Sequence, residues 1–204
     1  MTKFSFPIFI NLNYNWQKYV LGINCSQHYA VIIVIPFYMY CIISGTNRFN
    51  SNTIKVARQY EELLNQKGIK ALFLSLEKLN VLQRNIEFEK IENEILIPTQ
   101  KFIFISPEYN GSIPGVLKCV FDISDVPKTW WNKKALLTGV STGRAGNLRG
   151  MDDLTGILHY MKVVVHPNKL PISVVGDLIN EDGKITDQLT LSAINTQLKE
   201  FIEF

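Results

Sequence analysis

Ten consecutive residues, Ser44-Gly45-Thr46-Asn47-Arg48-Phe49-Asn50-Ser51-Asn52-Thr53, gather four hydroxyls and one guanidinium. Hydroxyls can donate to phosphate oxygens, and an arginine adds a bidentate charged clamp. Where such a run feeds a helix, the first backbone N–H groups and the positive end of the helix dipole also favour an anion. The run has neither the GxxxxGK of a nucleotide P-loop nor the GxGxxG of a dinucleotide fold. A terminal monophosphate therefore suits it better than a triphosphate or a pyrophosphate. The same residues also read as plain helix caps, Ser51 or Asn52, beside a surface charge, Arg48. Taken alone they leave both readings open.

Two more runs stand out. Pro107-Glu108-Tyr109-Asn110-Gly111-Ser112-Ile113-Pro114-Gly115 holds two prolines and two glycines. These fix an irregular backbone whose amides could face a planar ligand, with the Tyr109 ring near it. A β-turn followed by Pro114 at the first helical position accounts for the same residues. Ser141-Thr142-Gly143-Arg144-Ala145-Gly146, continuing into Asn147-Leu148-Arg149-Gly150, is a third, glycine-rich run.

Other chemistry finds little footing. Cys25, Cys41 and Cys119 show no paired spacing, so neither a disulfide framework nor a zinc site is expected. Cys119 lies in a helical pattern with no base nearby and reads as an inert packed thiol. His28, His159 and His166 share no ligand spacing, and no metal is expected. Trp130-Trp131 reads equally as a core plug or as an exposed pair at a subunit contact.

The elements around these runs alternate. Apolar strands are expected at 40–43, 69–76, 101–106, 135–140 and somewhere in 163–175. Helices are expected from Ser51 or Asn52 to about Lys67, then over 85–99, 114–123, 151–161 and 186–203. The strands are continuously apolar, which is the mark of a parallel sheet covered on both faces by helices. Five such strands suit an α/β, flavodoxin-like, doubly wound parallel sheet. Ligands bind such sheets beyond the carboxyl ends of the strands, and all three runs leave carboxyl ends.

Composition narrows the partners. The 204 residues are 47% hydrophobic and 19% charged, with a net charge of only +3. That excludes a disordered chain and gives no reason to expect nucleic acid. The first 38 residues differ from the rest: they hold no Asp, Glu or Arg, only Lys3 and Lys18, yet nine of the 23 aromatics. Their apolar stretch is interrupted by Asn24, Ser26, Gln27 and His28, so a membrane span is not expected. Residues 1–38 are read as an atypical N-terminal extension. Three origins stay open: translated non-coding sequence upstream of a start at Met39, a disordered or poorly packed native extension, and a membrane tether. Residues 39–204 form the functional domain.

Loop one (GTNRFNSNT), PEYNGSIPGVLK and STGRAG together resemble the three flavin-binding loops of the NADPH-dependent FMN reductase family. The similarity covers about 40–204, and PEYN with the following PGVLK is its specific part. The resemblance implies that Thr46, Arg48, Ser51 and Thr53, with Asn52 adjacent, bind the phosphate of FMN. It implies that Pro107, Glu108, Tyr109, Asn110 and Gly111 line the isoalloxazine ring. Ser141, Gly143, Arg144 and Gly146 then lie on its pyrimidine side. Arg144 or Arg149 could meet the 2′-phosphate of NADPH, or serve as a salt-bridged surface charge. Where family members often carry Asn and an aliphatic residue after LK, this chain has Cys119, Val120 and Phe121, a change that bears on packing or a subunit contact.

The implied activity is hydride transfer from NADPH or NADH to flavin N5, then release of two electrons to a quinone, azo, nitro or similar small acceptor. No side-chain acid or base is required, and none is assigned as catalytic. A flavodoxin-type electron carrier without NAD(P)H turnover is the alternative; its usual acidic surface is missing here. A cytoplasmic homo-oligomer, dimer or tetramer, is expected. If the extension is dispensable, protein beginning at Met39 will bind as much FMN per chain as the full-length protein. A markedly lower flavin content would show that residues 1–38 contribute.

Overall fold

Period-two alternation decides which way each strand residue points. In the strand Tyr38–Ser44 (β1), Cys41 and Ile43 enter one apolar cluster and Ile42 enters another. This computed structural model describes residues 16–19, 33–36 and 38–204. The expectation for residues 1–38 lies mostly outside them. Trp16–Tyr19 and Ile33–Pro36 pair antiparallel as a sheet of their own.

The main sheet is parallel, with β1 joined by Ala71–Ser75 (β2), Thr99–Pro107 (β3) and Lys134–Val140 (β4) in the order β2-β1-β3-β4. Two short strands, Val164–Val165 (β5) and Leu170–Ile172 (β6), share the fifth position, both paired with β4. The expected five-position doubly wound sheet is therefore present, with its fifth strand broken. Pro167, which lies between the two strands, explains the break, because it has no N–H to give to the ladder. Ser44 is level with Ile105, while β3 and β4 run on together to the pair Pro107–Val140. The strand order reverses at β1, leaving a crevice between the ends of β1 and β3.

Helices cover both faces. Asn52–Gln66 (α1) and Gln188–Glu203 (α6) pack Val56, Tyr60, Leu64, Ile194 and Phe201 on Ile42, Ile103 and Leu136. Ile86–Ile91 (α2), Gly115–Ile123 (α3) and Leu148–Tyr160 (α5) put Phe88, Leu117, Phe121 and Leu154 on Phe102, Phe104 and Leu137. A four-residue helix, Val126–Thr129 (α4), precedes β4. Each fully buried side chain of this size contributes about 1.5–3 kcal/mol relative to exposure. Trp130 is one of them, with ring centroids 4.9 Å from Phe102 and 5.2 Å from Phe121. Trp131 is instead 40% exposed beneath the Lys162 ammonium. The tryptophan pair thus splits into a core plug and a surface ring.

Helix α5 begins at Leu148, three residues before the expected 151. The glycine that suggested a loop, Gly150, sits in its first turn because a Cβ there would lie 2.1 Å from Asn147 Oδ1. Helix α2 continues as a π-helical turn, Glu92–Leu96, within the helix expected over 85–99. The Glu92 carboxylate is buried there, held by Arg84 (2.6 Å), the Asp125 N–H (2.6 Å) and the Thr129 hydroxyl (2.8 Å). Burial alone would push its pKa up; these donors hold it below the ordinary carboxylate range. On the opposite face the Tyr60 hydroxyl donates to Gln197 Oε1 at 2.6 Å. Gln197 Nε2 donates to Leu137 O and Asn168 O, tying α6 to β4 and to the break in the fifth strand.

Buried Lys133 donates to Leu96 O and Ile97 O, capping the π-helical turn. Burial brings its pKa down from 10.5 to about 8, although Cys41 nearby acts the other way. Between these pH values the unfolded chain holds the proton that the folded chain has released, so stability rises with pH. Cys41 and Tyr60, both pushed up by burial, oppose this at higher pH in any variant that keeps them. The unfolding free energy of wild type minus that of Lys133→Met should therefore rise by up to about 3 kcal/mol across that window in urea titrations. A flat difference would contradict the placement of Lys133.

Candidate functional site

At the carboxyl ends of β1, β3 and β4 the three loops enclose one cleft of about 540 Å³, within the range of small-molecule and cofactor sites. Twelve of the fourteen sequence-predicted residues line it: Arg48, Ser51, Asn52, Thr53, Pro107 through Gly111, Ser141, Gly143 and Arg144. Thr46 and Gly146 do not line it. Phe49, Thr142 and Val175 do, and were not among the candidates.

The first wall is built by β1 and α1. Gly45 N–H donates to Ile105 O at 2.8 Å, extending the β1–β3 ladder by one residue, and Thr46 N–H donates back to Ser44 O at 3.0 Å where the chain turns out of the sheet. Ser51 caps α1, its hydroxyl oxygen accepting the Ile54 N–H at 3.2 Å. The N–H groups of Asn52 and Thr53 find no acceptor among the described residues. A helix start in that state is a donor set for an anion. Arg48 stands beside it with no carboxylate partner among the described residues. Thr46 is fully buried, its hydroxyl 2.6 Å from Tyr109 Oη while accepting the Arg48 N–H at 3.2 Å. It braces the loop from beneath.

The second wall is the turn after β3. Asn110 at φ +54° and Gly111 at φ +79° close a two-residue hairpin turn, with Tyr109 N–H donating to Ser112 O (2.9 Å) and Ser112 N–H to Tyr109 O (3.2 Å). Asn-Gly suits this turn because both central residues need positive φ. Glu108 N–H donates to Val140 O at 3.2 Å. With the Glu108, Tyr109 and Ser112 amides engaged, the Asn110 and Gly111 N–H groups at the tip of the turn find no acceptor among the described residues.

The third wall rests on β4. A Cβ at Gly139 would lie 2.1 Å from Gly146 O, and one at Gly146, whose φ is +58°, would lie 2.5 Å from Pro171. Only glycine lets this loop lie so close to the sheet. Ser141 Oγ donates to Gly143 O (2.8 Å) and accepts the Gly146 N–H (3.0 Å). The segment after β6 pins the loop from the other side: Val174 N–H donates to Gly143 O, Val175 N–H to Ser141 O and Ser173 Oγ to Arg144 O.

Several positioning residues escaped the sequence reading. Glu77 accepts the Asn50 N–H at 3.0 Å, and Asp153 accepts from the Ser112 hydroxyl. Both act across the fold, and no local pattern signals them. The donor set fits a phosphorylated planar cofactor. Helix-start amides and Arg48 match a dianionic phosphate, while the free amides of the other loops match the polar edge of a fused ring.

The profile of the family described as NADPH-dependent FMN reductase matches residues 40–175. The chain is 26% identical over 176 residues to a quinone reductase of Pseudomonas putida, covering 80% of this chain and 88% of that protein. It is 29% identical over 93 residues to a 2-hydroxy-1,4-benzoquinone reductase of a Burkholderia species, 40% of this chain and 51% of that one. The chain thus spans about half the length of that relative. Among solved structures, the flavoenzyme NAD(P)H:(acceptor) oxidoreductase FerB from Paracoccus denitrificans superposes with a TM-score of 0.66 at 20% identity, covering 81% of this chain and 96% of that one.

Val174 holds φ +43° and ψ +41° while its N–H reaches into the third loop. A β-branched residue in this region stores about 1–3 kcal/mol of strain. Glycine relieves that strain and costs about 0.5–1 kcal/mol of chain entropy. Val174→Gly should accordingly raise the unfolding free energy by about 1 kcal/mol. A lower melting temperature would mean that side-chain packing outweighs the strain.

Proposed function

This chain belongs to the NADPH-dependent FMN reductase family, and we propose that it passes electrons from NAD(P)H through FMN in the cleft to a small quinone-type acceptor. FMN and NAD(P)H are the cofactors of the family. The observation that carries the site assignment is the pairing of an unneutralised arginine with two free helix-start amides, in one cleft with two further loops that offer free amides. Quinone acceptors are supported by what the relatives in Pseudomonas and Burkholderia are named for.

In this reading Arg48, Ser51, Asn52 and Thr53 hold the phosphate. Arg48 supplies the charge and the amides of Asn52 and Thr53 the direction. Pro107 to Gly111 lie along the fused ring. The amides of Thr142, Gly143 and Arg144 sit where negative charge would gather on its pyrimidine edge, fixed in advance by the bonds from 173–175. Bound FMN supplies the hydride acceptance and the two-electron delivery. The protein contributes position, a fixed field and an open side for the two substrates in turn. No side chain in the cleft is needed as acid or base. Arg144, exposed and without an ionic partner among the described residues, is the group best placed to meet an anionic substituent of NADPH or of the acceptor.

Among the described residues no helix is long and apolar enough to cross a membrane. A cytoplasmic homo-oligomer is part of the same proposal, on the strength of the family resemblance, and residues 39–204 are its working domain.

Arg48→Ala should weaken FMN binding by about 1.5–3 kcal/mol, the range for a hydrogen bond to a charged group. Its NADPH oxidation with a quinone should return at raised FMN concentration. Wild-type FMN affinity in that variant would move the phosphate elsewhere.

A further inference from the structure

We propose that Tyr109 is the positioning residue that presets Arg48 for the phosphate, so that the turn facing the flavin ring also sets the preference for FMN over riboflavin; this rests on the reading of loop one as the phosphate cradle. Three contacts carry it. The Arg48 guanidinium carbon lies 4.0 Å from the centre of the Tyr109 ring. Tyr109 Oη lies 2.6 Å from Thr46 Oγ1. Thr46 Oγ1 in turn accepts the Arg48 N–H at 3.2 Å. Tyr109 thus holds Arg48 at both ends, its side chain by stacking and its main chain through Thr46.

The latch is built into the fold. Thr46 is fully buried, so the hydroxyl pair is anchored inside the protein. Tyr109 is held in turn by the hairpin turn to Ser112, and Ser112 by Asp153 on α5. An exposed arginine gives up much rotamer freedom when it clamps an anion; one already stacked on an aromatic face gives up less. One face of the Tyr109 ring is thereby taken by Arg48. The Tyr109 hydroxyl, tied to Thr46, therefore acts on flavin binding at the phosphate end, whatever the turn contributes along the ring.

Tyr109→Phe keeps the ring and removes the hydroxyl; Tyr109→Leu removes both. Fluorescence titrations of the full chain with FMN and with riboflavin separate the possibilities. For Tyr109→Phe the FMN Kd should rise about three- to tenfold, the loss of one net hydrogen bond, while the riboflavin Kd stays at the wild-type value. Tyr109→Leu should lose more FMN affinity. Equal weakening of both flavins in Tyr109→Phe would make Tyr109 a general support of the turn and overturn the proposal, as would wild-type FMN affinity in Tyr109→Leu. If wild type and Arg48→Ala bind FMN and riboflavin alike, the phosphate cradle itself falls and the latch with it. That result differs from a failure of Tyr109 alone, in which Arg48→Ala still loses FMN selectively.

Discussion

Two amides at the start of α1 without an acceptor among the described residues are the constraint from which the rest follows. A helix must leave its first N–H groups unpaired within itself, and of these the Ser51 side chain satisfies the Ile54 N–H alone. The parallel sheet places this helix start at the point where strand order reverses, so the donors open into a crevice. Arg48 adds charge to the same place, with no carboxylate among the described residues to cancel it. In the reading proposed here this arrangement binds an anion, and the two neighbouring loops suit one carried on a flat body.

Holding those donors in place takes the whole domain. Glycines 139 and 146 let the third loop lie against β4 and Pro171, and the strained turn at Val174 fixes its far side. Glu77 and Asp153 each reach from a neighbouring element to steady a loop. On the two faces of the sheet, Gln197 on one and Glu92 and Lys133 on the other bind polar groups that would be costly to leave unpaired. Preorganisation of this kind stabilises charge without movement during the reaction, which suits a protein whose cofactor performs the chemistry.

The parallel sheet was legible because buried parallel strands are continuously apolar, as KFIFIS at 101–106 is. The loops were legible because Gly, Pro and Asn at fixed places mark turns. Where the reading slipped, a local signal met a tertiary demand. Gly150 signals a loop but is a helix residue packed on Asn147. The fifth strand reads as one segment but breaks around Pro167. Glu77, Asp153 and Ser173 were beyond reach, because contacts across the fold leave no local spacing.

The most direct measurement is a crystal structure of the full chain with FMN. The account requires the phosphate oxygens to lie within about 3.2 Å of the Asn52 and Thr53 amide nitrogens, with Arg48 turned onto them. A phosphate bound at the third loop, with the start of α1 open to solvent, would contradict it.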